Sequence, residues 1–184
     1  FIVLGSFIEN FSWSFSDYLI NALFLGVVVG IAEELVFRGW LLGEMTYLFG
    51  PRFGLISQAV IFSFAHVRFQ LPWNELLPLL LGLFLLGIVL ALRCSLDGGR
   101  LIGAIALHGG LVGGWFFINN GLIEISPESP SWLVGPGGIN PNPIGSLGAI
   151  LALLLMIFYQ RKGFNKIIRS LGDTVSDSSK GARP

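Results

Sequence analysis

Charge is what this sequence has least of. Only 12% of its 184 residues are Asp, Glu, Lys or Arg, about half the roughly 25% of an ordinary soluble domain. So few charges cannot cover a water-soluble globule of this size. A net charge is lacking as well, because eleven basic residues cancel eleven acidic ones. That excludes the basic surface by which nucleic acids are usually held, and no nucleic-acid partner is expected. The single cysteine, Cys94, excludes an intramolecular disulfide. Strand-like alternation of polar and apolar residues is absent, which argues against a membrane β-barrel. The opening stretch, Phe1 to Phe15, is apolar but has neither the basic flank nor the cleavage site of a signal peptide. It reads as a partial helix of a longer membrane protein.

What the sequence does have is apolar runs, in a chain that is 53% hydrophobic. About 20 helical residues cross a hydrocarbon core of about 30 Å, and a lipid-embedded backbone must satisfy its own hydrogen bonds. The expected fold is therefore all-α, a polytopic transmembrane helix bundle of about five helices plus the partial N-terminal one. Helix A spans Asp17 to Leu48 and stops at Gly50-Pro51; helix B spans Phe53 to His66; helix C spans Leu76 to Leu92, with Pro78 in its first turn. Helix D spans Leu101 to Ile118, and helix E spans Ile144 to Tyr159 after a loop rich in Pro, Gly and Ser. Residues 1–160 form the expected helical domain, and residues 161–184 a polar, partly disordered tail.

Basic residues give the layout a direction. If the helices alternate across the bilayer, Arg52, Arg93, Arg100, Arg161, Lys162, Lys166 and Arg169 fall at one end, and the other end keeps Arg68. The positive-inside bias places the A–B turn, the C–D turn and the tail in the cytoplasm or its topological equivalent, and the long loop after helix D outside. A bacterial plasma membrane is the default location, with a plastid membrane as the alternative.

Ionisable residues within such helices are the candidates for function, since a central charge costs roughly 2.5–3.5 kcal/mol to insert. Helix A carries Glu33, Glu34 and Arg38. Glu34 and Arg38 are one turn apart on the same face and can pair. Glu33 is rotated about 100° from Glu34 and is left free to face a cavity, where a carboxylate can serve as a general base. Both histidines of the chain also fall within predicted spans, His66 on helix B and His108 on helix D. Counted from the basic end at about 1.5 Å per residue, Glu33, His66 and His108 lie about 22, 20 and 10 Å deep. Gly26 and Gly30 precede the glutamates, and Gly109, Gly110, Gly113 and Gly114 follow His108, a composition that lets helix backbones approach closely. Singly, each feature has a bland explanation: a Glu–Arg staple, a satisfied core histidine, tight helix contact. Together they require several separate accidents, and the joint functional reading is the better one.

These residues resemble the motifs of the CPBP intramembrane proteases, the CaaX protease and bacteriocin-processing group that includes the type II CaaX prenyl endopeptidases. Glu33-Glu34-x3-Arg38 and Phe62-x3-His66 match the first two motifs in full. The third, His-x3-Asn or Asp, is met at His108 but has Val112 at its last position. The resemblance implies hydrolysis of a peptide bond of a membrane-associated substrate, of which a prenylated CaaX-type protein is one form, at a site within the bilayer. Glu33 and His66 would activate the water, His108 would stabilise the oxyanion, and Glu34 with Arg38 would hold helix A in place. Family members are described both as metal-dependent and as metal-independent, so the cofactor is either none or a divalent metal such as zinc. In the metal-dependent case Glu33, His66 and His108 are the ligands, as in a zinc site with an open position. Two other functions fit the same residues. Val112 suits a non-catalytic scaffold or chaperone on this fold, and Glu and His within membrane helices also build proton-coupled transporters.

Overall fold

The structure is a computed structural model that describes residues 6–7 and 15–181, with side chains described for residues 15–165. The partial N-terminal helix expected over residues 1–15 thus lies almost entirely outside the described residues. Ser6–Phe7 (β1) pairs antiparallel with Ile123–Glu124 (β2), and everything else of size is helical.

Helix α1 (Phe15–Glu34) leads into a π-helical segment, Leu35–Leu41, and then into α2 (Leu42–Ala65). This continuous run of 51 residues, Phe15–Ala65, would stretch about 75 Å if straight, far beyond one bilayer crossing. It turns back at Gly50, whose φ of 78° and ψ of 166° leave the helical region. Glycine adopts that backbone without penalty. The two arms are then so close that a Cβ on Gly54 would lie 2.6 Å from the Thr46 backbone. Helices A and B are therefore separate arms joined at the expected stop.

Three further runs are long and apolar enough to cross: Trp73–Leu96 (α3), Ile102–Leu122, and Leu147–Asn165. The second comprises α4 (Ile102–Phe117) and a π-helical turn, Ile118–Leu122; the third begins α6 (Leu147–Gly181). Helix C starts earlier than expected, directly after Pro72, so Pro78 falls in the second turn of α3. The backbone of α6 likewise continues past Tyr159, where helix E was expected to end. The long loop holds a single helical turn, α5 (Ser131–Val134).

Helix α3 occupies the centre, with Leu79, Val89, Leu90 and Ala91 at 0% exposure. Its Leu83 and Leu86 pack with Phe62 of α2, Ala104 of α4 and Leu153 of α6 in the main apolar core. On the outside the apolar residues do not stop: Leu23, Phe24, Val27, Val28 and Ile31 of α1 face outwards. In water these would form a large sticky patch; in a bilayer they are simply solvated by acyl chains. The protein is an integral membrane bundle.

The close seam is between α1 and α4. A Cβ on Gly26 would stand 2.5 Å from the Gly109 carbonyl oxygen, and one on Gly30 would stand 2.9 Å from that of Ile105. Only glycine allows this approach, and it brings the segment carrying the glutamates against the segment carrying His108.

Contacts also define the two ends. Leu42, Leu55, Leu92 and Phe164 share one small apolar cluster, which gathers the A–B turn, the end of α3 and the start of the polar part of α6 at one end. At the opposite end Arg68 donates to the Asn140 carbonyl at 3.2 Å, and Gly137 N–H donates to the Glu75 carboxylate at 3.1 Å.

Candidate active site

Glu33 and Glu34 end α1, and the turn of the helix between them sends their carboxylates in different directions. Glu34 goes inward and is fully buried. Its Oε1 accepts from Arg38 Nη1 at 2.8 Å and from His108 Nδ1 at 2.7 Å. Arg38 is held in turn by the Gly87 carbonyl, 3.3 Å from Nη2, and stacks its guanidinium 4.5 Å over the ring of Phe62. The same Gly87 carbonyl accepts from Gln58 Nε2 at 3.0 Å. Helices A to D thus meet on one buried polar network, which pairs charges that lipid could not solvate and leaves Glu34 Oε2, Arg38 Nε and Gln58 Oε1 without a hydrogen-bond partner among the described residues. The Glu34–Arg38 pair expected from spacing is present, and it does more than tie one helix turn to the next: it reaches His108.

Glu33 goes the other way, to a cavity of about 440 Å³ lined among others by His66, His108, Val112, Asn119 and Asn140. Its side chain is 28% exposed and that of His66 is 29% exposed. His66 Nε2 lies 3.1 Å from Glu33 Oε2, and His108 Nε2 lies 3.8 Å from the same oxygen. Glu33, His66 and His108 come from three helical segments and converge on this one cavity.

Each imidazole is oriented by a partner. His66 follows the last residue of α2, and its Nδ1 is 2.8 Å from the Phe62 carbonyl oxygen. A carbonyl only accepts, so this nitrogen carries the hydrogen and Nε2 faces Glu33. The interval of four residues between Phe62 and His66 that marks the second motif is therefore the interval of a helical turn that fixes the ring. The Phe62 ring lies 4.6 Å from the imidazole, and Phe37 packs edge-on against Phe62 with centroids 4.9 Å apart. His108 Nδ1 donates to Glu34, which leaves its Nε2 towards the cavity. A carboxylate and an imidazole nitrogen at hydrogen-bond distance can pass a proton between them, the arrangement of a general acid–base pair.

The residues that sequence reasoning offered to a metal are these same three. Among the described residues, however, no group of three His, Cys, Asp or Glu side chains is arranged to hold a metal ion. His66 and Glu33 instead stand at the distance of a hydrogen bond.

Two parts of the site escape the sequence reading. Gln58 is fully buried and braces the carbonyl that Arg38 uses; an amide within an apolar helix was the available signal. The Asn-lined end of the cavity, with Asn119, Asn140 and Asn142, comes from the long loop and the π-helical turn. Their spacing follows no helical period, so nothing in the pattern joined them to the site.

With this geometry in hand, comparison with known families is direct. The sequence model described as type II CAAX prenyl endopeptidase Rce1-like matches residues 15–114, more than half of the chain and every member of the Glu/Arg/His cluster. The chain belongs to this family. Membership makes it, in general terms, a CAAX-type intramembrane endopeptidase that acts on a membrane-associated protein substrate. Neither the curated proteins nor the solved structures give a match. Within the family pattern, Val112 stands one turn after His108 and lines the cavity with a side chain that donates no hydrogen bond.

Proposed function

We propose that Glu33, His66 and His108 form the catalytic centre of this endopeptidase. Glu33 and His66 together take the proton of a water held in the cavity, and the resulting nucleophile attacks the carbonyl carbon of the scissile peptide. His108 acts here with a hydrogen on both ring nitrogens: Nδ1–H donates to Glu34 and Nε2–H to the carbonyl oxygen, which steadies the charge that develops there. The proton then passes to the leaving amine, and the two peptide products separate. Glu34 and Arg38 touch no substrate; they set the orientation of His108 and are positioning residues. The substrate is a membrane-associated polypeptide, and the family description brings with it the narrower candidate of a prenylated CaaX-type protein.

One observation carries the proposal: Glu33 Oε2 faces two imidazole nitrogens, at 3.1 and 3.8 Å, in a cavity of about 440 Å³ within the helix bundle. General acid–base catalysis of this kind contributes about 10²–10⁴ in rate. In a detergent-solubilised or reconstituted preparation cleaving a fluorogenic membrane peptide, Glu33→Gln should abolish turnover while leaving the protein folded. Full activity of that variant would remove the proposal.

Val112 favours a second reading, a scaffold that binds membrane polypeptides without cutting them. Its mark would be a wild-type protein that captures such a polypeptide intact, with no product formed and none gained on Val112→Asn.

A further inference from the structure

Gln58 is an amide where an amide is costly. It lies within α2 at 0% exposure, and its Nε2 donates to the Gly87 carbonyl of α3 at 3.0 Å. Its Oε1 has no hydrogen-bond partner among the described residues. An unpaired buried acceptor costs at least as much as one buried hydrogen bond contributes. The two helices also pack closely here without the amide: a Cβ on Gly87 would stand 3.0 Å from the Cβ of Ala59, itself at 0% exposure. A methionine is apolar and adaptable enough to fill the same space. It would add no unpaired polar atom, and the Gly87 carbonyl would keep its contact with Arg38. Stability therefore does not account for the amide.

Its place among its neighbours does. Gln58, Phe62 and His66 follow one another at four-residue intervals, one helical turn apart along one face. His66 meets Glu33, Phe62 carries the Arg38 guanidinium on its ring, and Gln58 occupies the carbonyl oxygen that Arg38 also reaches. The two donors on that oxygen are not equally near: Gln58 Nε2 is at 3.0 Å and Arg38 Nη2 at 3.3 Å. With the amide in the nearer position, the shorter contact of Arg38 is the one to Glu34 Oε1, at 2.8 Å. The same Oε1 accepts from His108 Nδ1 at 2.7 Å. Without the amide, Arg38 would settle onto Gly87 and Glu34 would follow its cation. The His108 ring would then turn from Glu33 Oε2, which its Nε2 now faces at 3.8 Å.

We infer that Gln58 is a positioning residue for His108: by occupying the Gly87 carbonyl it keeps Arg38 on Glu34, and through Glu34 it aims the imidazole into the cavity. The effect on turnover rests on the endopeptidase reading; the effect on the ring does not. Such a role separates function from stability, because removing the amide misplaces His108 without loosening the bundle. A hydrogen bond that merely tied α2 to α3 would lose both together.

The test uses the full chain in detergent, carrying Gln58→Met or, as a second apolar shape, Gln58→Leu. Because the chain has two histidines, protein labelled with ¹⁵N in its imidazole rings gives two sets of ring signals in an NMR spectrum, which a His66→Gln variant assigns. In Gln58→Met the His108 signals should shift and those of His66 should stay, with no fall in unfolding temperature. On a fluorogenic membrane peptide, kcat should drop about 10- to 100-fold at unchanged KM, the scale of a misplacement of about 1 Å. Unmoved His108 signals overturn the inference, and so does a full kcat beside an active wild type. A lower unfolding temperature or yield in both variants overturns it as well, since the amide would then be a packing contact. Should the wild type cleave nothing, the endopeptidase reading fails, and the ring signals and unfolding temperature decide this inference by themselves.

Discussion

Two adjacent glutamates head two polar clusters that could hardly differ more. Glu34 is sealed: its side chain has no exposure, and Arg38 and His108 hold it from two sides. Glu33 is open, at 28% exposure, with imidazole nitrogens as partners in a cavity large enough for a peptide segment. The first cluster is built like a structural ion pair, with each charge matched and water excluded. The second leaves a carboxylate partly open to the cavity, as a group must be if it is to exchange protons with a water there. A single peptide step along a helix separates holding a structure from doing chemistry.

The largest effect should come from treating the two glutamates alike. Glu33→Gln is expected to lower turnover by roughly 10³-fold or more, with thermal unfolding in detergent almost unchanged. Glu34→Gln should lower thermal stability as well as activity, because it weakens the contacts of both Arg38 and His108. Equal loss of stability in the two variants would erase the distinction. Next in size is Arg38→Met, which leaves a buried carboxylate without its cation. Breaking a buried pair in this way costs about 3–5 kcal/mol, seen as a lower unfolding temperature and lower yield.

The seam between α1 and α4 offers a finer test. A Cβ on Gly109 would run into the Gly26 carbonyl, whereas one on Gly110 meets nothing within 4 Å. Gly109→Ala should therefore push the glutamates away from His108, with overpacking losses of about 1–3 kcal/mol and reduced turnover. Gly110→Ala should behave like wild type in both assays. The smallest change is a gain. Val112→Asn adds a donor to the cavity wall and should raise turnover on the order of tenfold, a fraction of the 10²–10³ attached to a donor in a site evolved around it.

The spans and the Glu34–Arg38 pair were legible because both depend on local rules: run length for the first, one helical turn for the second. Convergence of Glu33, His66 and His108 was legible in outline, since three rare ionisable groups in lipid need one another. Partnerships across helices were not. That His108 Nδ1 would choose Glu34, 74 positions away, depends on how α4 is rotated about its axis. A helix that is apolar all round carries little pattern to set that rotation. The Gly87 carbonyl shared by Arg38 and Gln58 was invisible for a simpler reason: a backbone acceptor has no sequence signature. The cavity's polar lining was hidden too, since it is drawn from a loop and a π-helical turn.

The π-helical segment Leu35–Leu41, directly after the glutamates, has a consequence for how the family could vary. A π-turn holds one residue more than an α-turn, so it acts as a one-residue insertion that rotates whatever follows by about 100°. Losing one residue from its last part, 39–41, would reset that phase without altering any motif. Relatives with the same Glu, Arg and His spelling but one residue fewer in this stretch should then aim their glutamates at a different wall of the bundle, so a gap there in an alignment carries functional weight.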